Sequence, residues 1–167
     1  MRRIILKIFP LLILFFVASC SGYDSRVFAS YEDMVKSAKE EVRWIAAGDF
    51  KKVMESGDNY YLVDCREQVE FDSSCIKGAI PVPRGVLESE IASKVPRHRI
   101  PLYIYCSNGD RSALAAKVLP LLKYSNVRVI EGGFDNWKSS YPDLVENNPV
   151  RGAVKAAPKK ASGGCGG

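Results

Sequence analysis

The chain has 167 residues, 47% of them hydrophobic, which is room for one domain with a real core plus appendages. Its formal net charge is +5, but Arg2, Arg3, Lys7, Arg151, Lys155, Lys159 and Lys160 sit near the two ends, and without those seven the middle carries −2. That balance leaves no clustered positive face, so nucleic-acid binding is excluded as the main role.

Residues 1–19 read as an export signal: a basic start, an apolar stretch over 8–17, then Ala18 and Ser19. A spanning helix needs about twenty apolar residues, and this core is shorter. The run Val17-Ala18-Ser19-Cys20 is similar to the lipobox of bacterial lipoproteins, which implies acylation of Cys20 and a lipid anchor in the cell envelope facing the periplasm. Two other readings stay open: an ordinary signal cut after Ala29, and an uncleaved anchor. Ser21 lacks the acidic character associated with inner-membrane retention, so either membrane fits.

Residues 20–29 form a tether, and residues 30–42 show helical spacing, with Ser30 as the expected cap and Asp33 three positions on. Apolar runs then alternate with helical segments. Strands are expected at 42–45, 60–63, 79–82, 102–105 and 127–130, and helices at 49–55, 67–71, 86–94, 111–123 and 134–139. Such alternation predicts an α/β domain over 43–141 whose parallel sheet is buried on both faces. In the helix over 111–123, Leu114, Val118, Leu121 and Leu122 are the expected core stripe, and Pro120 is expected to kink the helix or end it early. Residues 142–167 lose periodicity and are expected to be a disordered basic Gly/Ala/Lys tail.

The chemistry concentrates in YCSNGDRSALAAKVL. An apolar run ends at Cys106, Arg111 follows five positions later, and a helix starts at once. A thiol is a useful nucleophile only when ionised, and its ordinary pKa of about 8.5 leaves little thiolate at neutral pH. Backbone amides curling around the sulfur, the positive end of the helix near Asp110 and the Arg111 guanidinium all favour negative charge there. Gly109 admits backbone angles that a Cβ resists.

Four segments in order, YYLVDCREQVEF, IKGAIPVPRGVLE, YCSNGDRSALAAKVL and VIEGGFDNW, resemble the motifs of a single rhodanese domain, the sulfurtransferase module. The resemblance implies a doubly wound, five-stranded parallel sheet with helices on both faces and the reactive cysteine at the carboxyl end of a central strand. It also implies a chemistry. Cys106 takes sulfane sulfur from thiosulfate or a persulfide, holds it as a persulfide and passes it to a thiol or cyanide. Ser107, Asn108, Gly109, Asp110 and Ser112 would form the binding loop, with Arg111 adding charge near its base. No metal, cofactor or general base is called for, and a monomer suffices, its partners being small-molecule or protein sulfur donors and acceptors. Related phosphatases and arsenate reductases use a loop one residue longer, so the short loop favours a single sulfur atom. Asp110 beside the pocket is expected to repel thiosulfate dianion and favour less charged donors.

The single histidine, His98 in VPRHRIP, offers neither a metal site nor an oriented dyad and reads as a loop residue. Asp64, Arg66 and Glu70 are expected to brace a loop. Arg84 with Glu88 either lines the pocket mouth or forms a surface ion pair. Two cysteines depart from the family pattern: Cys65, where an aliphatic residue is usual, and Cys75, where histidine is common. They are either small buried residues or a disulfide or redox pair. Cys165 ends a tail whose span of about 27 Å exceeds a domain radius of about 13 Å. Cys165 can therefore reach Cys106 as acceptor or resolving thiol, or it is incidental. The competing function is a non-turnover module in which Cys106 and Cys165 bind sulfur, a metal or a metalloid, or sense redox state.

Overall fold

A computed structural model describes residues 27–149. Cys20 and Cys165, with the signal, lipidation and tail expectations that rest on them, lie outside the described residues. Among the described residues no helix is long and apolar enough to cross a membrane.

Helix α1 (Tyr31–Glu41) precedes β1 (Trp44–Ile45), α2 (Ala47–Ser56) and β2 (Tyr61–Asp64). Next come α3 (Gln68–Ser73), β3 (Ser74–Ile76), β4 (Ile80–Pro81) and α4 (Leu87–Lys94). The second half holds β5 (Leu102–Tyr105), α5 (Asp110–Val118), β6 (Val127–Ile130), α6 (Gly133–Ser140) and β7 (Val145–Asn147). Five strands form one sheet in the order β1-β6-β5-β2-β4, and every neighbouring pair is parallel. Strand β5 is therefore central. All four of its residues are buried, as a strand covered on both faces requires.

Each face of the sheet carries its own core. Val63, Ile104 and Val129 pack with Leu87 and Ile91 of α4 and with Ala115 and Ala116 of α5. On the other face Leu62, Tyr103 and Ile130 pack with Phe50 of α2, Phe71 of α3, and Phe134 and Trp137 of α6. Helices thus cover both faces. Helix α1 lies outside these layers and packs on α5.

Pro120 ends its helix early, one of the two effects expected of it, and Cys65 and Cys75 take the first of their two open readings, as small buried residues; the core stripe of that helix and the extent of the tail change. Helix α5 stops at Val118 and continues as a 3-10 turn, Leu119–Leu122, with Pro120 in its first positions. The face turned to the core is Ser112, Ala113, Ala115 and Ala116, followed by Leu119, while Leu121 is 82% exposed. Small side chains let the helix approach the sheet closely and seat its first turn over the end of β5. Residues 142–147 are not tail. Pro142–Leu144 form a 3-10 turn, and β7 pairs antiparallel with β3, Cys75 opposite Glu146. Two strands of three residues are too short to show periodicity, and β3 follows α3 without a break. Cys65 and Cys75 are both free and buried, in the separate cores of opposite faces. They do not form a disulfide with one another.

Candidate active site

Strand β5 delivers Cys106 to the carboxyl end of the sheet, and residues 106–109 turn there into the first turn of α5. Gly109 caps the helix at φ 104°, a left-handed angle that disfavours any residue with a Cβ, and the Trp44 ring closes the remaining space 3.4 Å from where a Cβ would sit. The turn aims donors at the sulfur. Gly109 N donates to Cys106 Sγ at 3.2 Å, and Ser112 Oγ lies 3.5 Å from it.

These contacts settle which form of the thiol is favoured. A hydrogen bond from the Cys65 thiol is the largest influence on Cys106, burial opposes it, and the hydroxyl and amide of Ser112 and the amide of Gly109 reinforce it. The balance lowers the Cys106 pKa from its ordinary value to about 5. Cys65, fully buried beside a negative charge, moves the other way, and burial pushes its thiol well up. The pair holds one proton, and it stays on Cys65.

Not every amide of the loop faces the sulfur. Asp110 N donates to Asn108 Oδ1 at 3.1 Å, and Asn108 Nδ2 donates to Asp110 Oδ2 at 2.9 Å. This places Asn108 Oδ1 3.8 Å from Cys106 Sγ, where it accepts from the thiol form. Ionisation removes that bond.

Arg111 does not point its charge at the sulfur. Its Nη1 and Nη2 donate to Glu70 Oε2 and Oε1 at 2.8 and 3.0 Å, and Nη2 also donates to Ser107 Oγ at 2.9 Å. Ser107 Oγ in turn donates to Glu70 Oε1 at 3.0 Å. The Arg111 guanidinium accordingly holds the Glu70 carboxyl down at about 2, and Glu70 pushes Arg111 further up. Glu70 belongs to the capping box of α3. A bidentate pair of this kind ties α3 to the loop and fixes its path.

The back of the loop is held by α6. Phe134 N donates to Cys106 O at 2.8 Å and Asp135 N to Ser107 O at 3.1 Å, so the first turn of α6 pulls these carbonyls away from the sulfur. Gly132 and Gly133 have φ of 70° and 59°, and a Cβ on Gly133 would stand 2.3 Å from Cys106 O and 2.5 Å from Ser107 O. We predict that Gly133→Ala displaces the loop and raises the Cys106 pKa by at least about one unit, slowing iodoacetamide alkylation about twofold at pH 6 and about tenfold at pH 4, below both values. An unchanged alkylation rate would show that the helix contact does not set the loop.

Asp64 and Arg66 stand behind this assembly. Asp64 is completely buried and Arg66 is 5% exposed; they pair through Nη2 to Oδ2 at 2.7 Å, and Arg66 Nη2 also donates to Ser74 O at 2.7 Å. The guanidinium lies 4.0 Å over the Phe134 ring. Arg84 pairs with Glu88 at 2.9 and 3.0 Å, and Arg84 N donates to Cys65 O at 3.1 Å. The turn Arg84–Val86 packs beside α5, so the ion pair sits at the same end of the sheet as the loop. His98 lies before β5, at the end opposite Cys106, against Tyr124 with ring centroids 4.5 Å apart. Among the described residues, no group of three or more His, Cys, Asp or Glu is arranged to hold a metal ion.

Glu70 braces a loop as expected, but the loop is the one after Cys106, and Ser107 joins that brace through its hydroxyl and does not turn it to the sulfur. Two contributors escaped the motif reading: Cys65, the largest influence favouring the thiolate, and Lys39, brought by α1. The ammonium of Lys39 reaches Asp110 at 2.5 Å and lowers its carboxyl, while Trp44 Nε1 donates to Lys39 O at 2.9 Å. The carboxylate expected to repel dianions is therefore neutralised by a partner from outside the motif-bearing region. Tyr31 of α1 also senses the loop: burial first, then the Asp110 and Cys106 charges, push its phenol up.

Comparison with known proteins agrees with this geometry. The family model described as Rhodanese-like domain matches residues 46–140. The thiosulfate sulfurtransferase GlpE of Stutzerimonas stutzeri is 32% identical over 87 residues, 52% of this chain and 78% of GlpE. The probable adenylyltransferase/sulfurtransferase MoeZ of Mycobacterium tuberculosis is 31% identical over 116 residues, 68% of this chain. The match spans only 29% of MoeZ. Among solved structures, a rhodanese-related protein from Thermoplasma volcanium superposes with a TM-score of 0.53 at 28% identity, covering 62% of this chain and 97% of that one. A thiosulfate sulfurtransferase from Pseudomonas aeruginosa gives 0.55 at 28% identity, covering 59% of this chain and 19% of that one.

Proposed function

Because the chain belongs to the rhodanese-like family, whose relatives include sulfurtransferases, we propose that it moves sulfane sulfur through a persulfide on Cys106. The observation that carries the proposal is a buried sulfur at the end of a central strand, with Gly109 N at 3.2 Å and the Ser112 hydroxyl at 3.5 Å donating to it.

In the first half-reaction the Cys106 thiolate attacks the outer sulfur of thiosulfate. The sulfur–sulfur bond breaks, sulfite leaves with the electron pair, and Cys106 keeps the sulfane atom as a persulfide anion. A donor persulfide reacts in the same way and leaves as a thiolate. In the second half-reaction cyanide or an acceptor thiolate attacks the outer sulfur and regenerates the Cys106 thiolate. No proton has to be removed from a nucleophile that is already ionised.

The test is the rate at which Cys106 gains one sulfur from thiosulfate in a single turnover, read by intact mass across pH with no acceptor present. The thiolate fraction halves near pH 5 and is full above about 6, so first-half-reaction rates should be flat at neutral pH and fall as pH drops through about 5. A rate that instead keeps rising to pH 8.5, the ordinary thiol range, would remove the support from the loop.

Charge at the mouth bears on the donor. Lys39 offsets Asp110, so a dianion meets a neutral pair. Lys39→Ala should raise KM for thiosulfate by up to about fivefold, the size expected for a partly exposed ion pair, while KM for a singly charged persulfide donor changes less. Equal changes for both donors would mean that Lys39 acts only by propping the loop.

A further inference from the structure

Of the two buried thiols that do not carry the sulfane atom in the persulfide mechanism, Cys65 and Cys75, only Cys65 shares a core with Cys106. Strands β2 and β5 are paired in parallel with Asp64 opposite Tyr105, and Cys65 N donates to Tyr105 O at 2.9 Å. The next residues along the two strands are Cys65 and Cys106. Both are fully buried and both pack in the core on the same face of the sheet. Neighbouring strands run about 4.7–4.9 Å apart, within the Cα separations of about 4.4–6.8 Å that a disulfide spans. The register therefore sets the two cysteines side by side on one face, at the strand spacing from which a disulfide can be closed. The loop donors hold Cys106 Sγ from one side, while Cys65 approaches from its neighbouring strand.

We propose that Cys65 is a resolving thiol that releases the sulfane atom of the Cys106 persulfide as hydrosulfide, giving this site a second activity, reductive sulfide release. The inference rests on the persulfide reading above. The Cys65 sulfur attacks Sγ of Cys106, a bond forms between the two cysteine sulfurs, and the bond from Sγ to the outer sulfur breaks. The outer sulfur leaves with that electron pair and takes the Cys65 proton. A persulfide anion and a thiol thus become a disulfide and HS⁻, with charge and hydrogen conserved. The sulfane atom is the oxidant and the two cysteines supply the electrons. An external dithiol resets the site by thiol–disulfide exchange.

The chemistry explains why the pair is inert until loaded. With Cys106 a bare thiolate, both sulfurs are reduced, and burial, then the neighbouring Cys106, keeps the proton on Cys65. Loading moves the negative charge one atom outward and turns Sγ into an electrophile with a leaving group. External acceptors and Cys65 then compete for different atoms: an acceptor takes the outer sulfur, whereas Cys65 strikes the inner one.

The experiment uses the reduced full chain with one equivalent of thiosulfate, no added thiol, and sulfide swept out by inert gas into a trap. It is run at pH 8.5, so that Cys106 is ionised even where the Cys65 hydrogen bond is altered. Wild type should release one sulfide per chain and become two hydrogens lighter, with a peptide linking Cys65 to Cys106. Cys65→Ser keeps a hydroxyl donor but no nucleophile, and should stay one sulfur heavier with no sulfide trapped. Cys165→Ser should behave as wild type. A wild-type chain that stays one sulfur heavier and yields no sulfide overturns the inference and leaves the persulfide reading standing. Sulfide release that persists in Cys65→Ser, or stops in Cys165→Ser, assigns resolution elsewhere and also overturns it. If neither wild type nor Cys65→Ser takes up sulfur, the persulfide reading falls and this inference falls with it.

Discussion

Replacing Cys106 with serine should lower sulfane transfer by at least about 10³-fold and abolish the one-sulfur mass increase after thiosulfate, with the fold intact. The reasoning starts from the cradle. Gly109 N, Ser112 and Cys65 all donate toward position 106, so a serine hydroxyl there finds partners and leaves no buried group unmatched. Near-wild-type circular dichroism and thermal unfolding are therefore expected. What is lost is the nucleophile. The donors bring a thiol down to about 5, but an alcohol starts far higher, and the same stabilisation leaves it protonated at neutral pH. Intact mass and thiocyanate formation check the two consequences separately. Sulfur loading that survives in the serine variant would transfer the nucleophile to Cys65 or Cys75 and end the assignment of this loop.

The parts of the fold that could be read from sequence are those where burial dominates. The runs at 102–105 and 127–130 coincide with β5 and β6 to the residue, because an inner parallel strand is mainly apolar, Arg128 being the one polar break, and the ends are marked by Pro101 and by the polar turn after Ile130. Cys106 was visible for the same reason, as the residue on which such a run ends. Strands β3 and β7 were not visible, since three residues give no period and their pairing depends on a partner some seventy positions away. The stripe expected on α5 went wrong because Leu114 and Val118 looked like core, whereas the close seat of this helix selects Ser112, Ala113, Ala115 and Ala116. The Glu70, Lys39 and Cys65 contacts share one property: each joins side chains from different elements, separated by at least thirty-seven positions. Such contacts follow from the sheet order, not from local spacing.

The second large effect belongs to Arg66. Removing one member of a buried ion pair strands the other, at a cost of about 3–5 kcal/mol, which is a large share of the roughly 5–15 kcal/mol that holds a domain folded. In Arg66→Ala the Asp64 carboxylate, with no exposed surface, loses its bidentate partner, and Ser74 O loses a donor at 2.7 Å. Urea unfolding should show a midpoint lowered in proportion, with the slope unchanged. Replacing both members, Asp64→Leu with Arg66→Met, should recover part of the loss, because no uncompensated charge then remains. The same substitution should reach the chemistry. Arg66 covers the Phe134 ring at 4.0 Å, and Phe134 N holds Cys106 O at 2.8 Å, so the guanidinium steadies the helix end that turns the loop carbonyls away from the sulfur. Partial recovery of stability in the double variant without recovery of sulfur transfer would separate these two duties. An Arg66→Ala chain within about 1 kcal/mol of wild type would show that water reaches Asp64 when its partner is removed, and that the pair contributes little to holding the fold together.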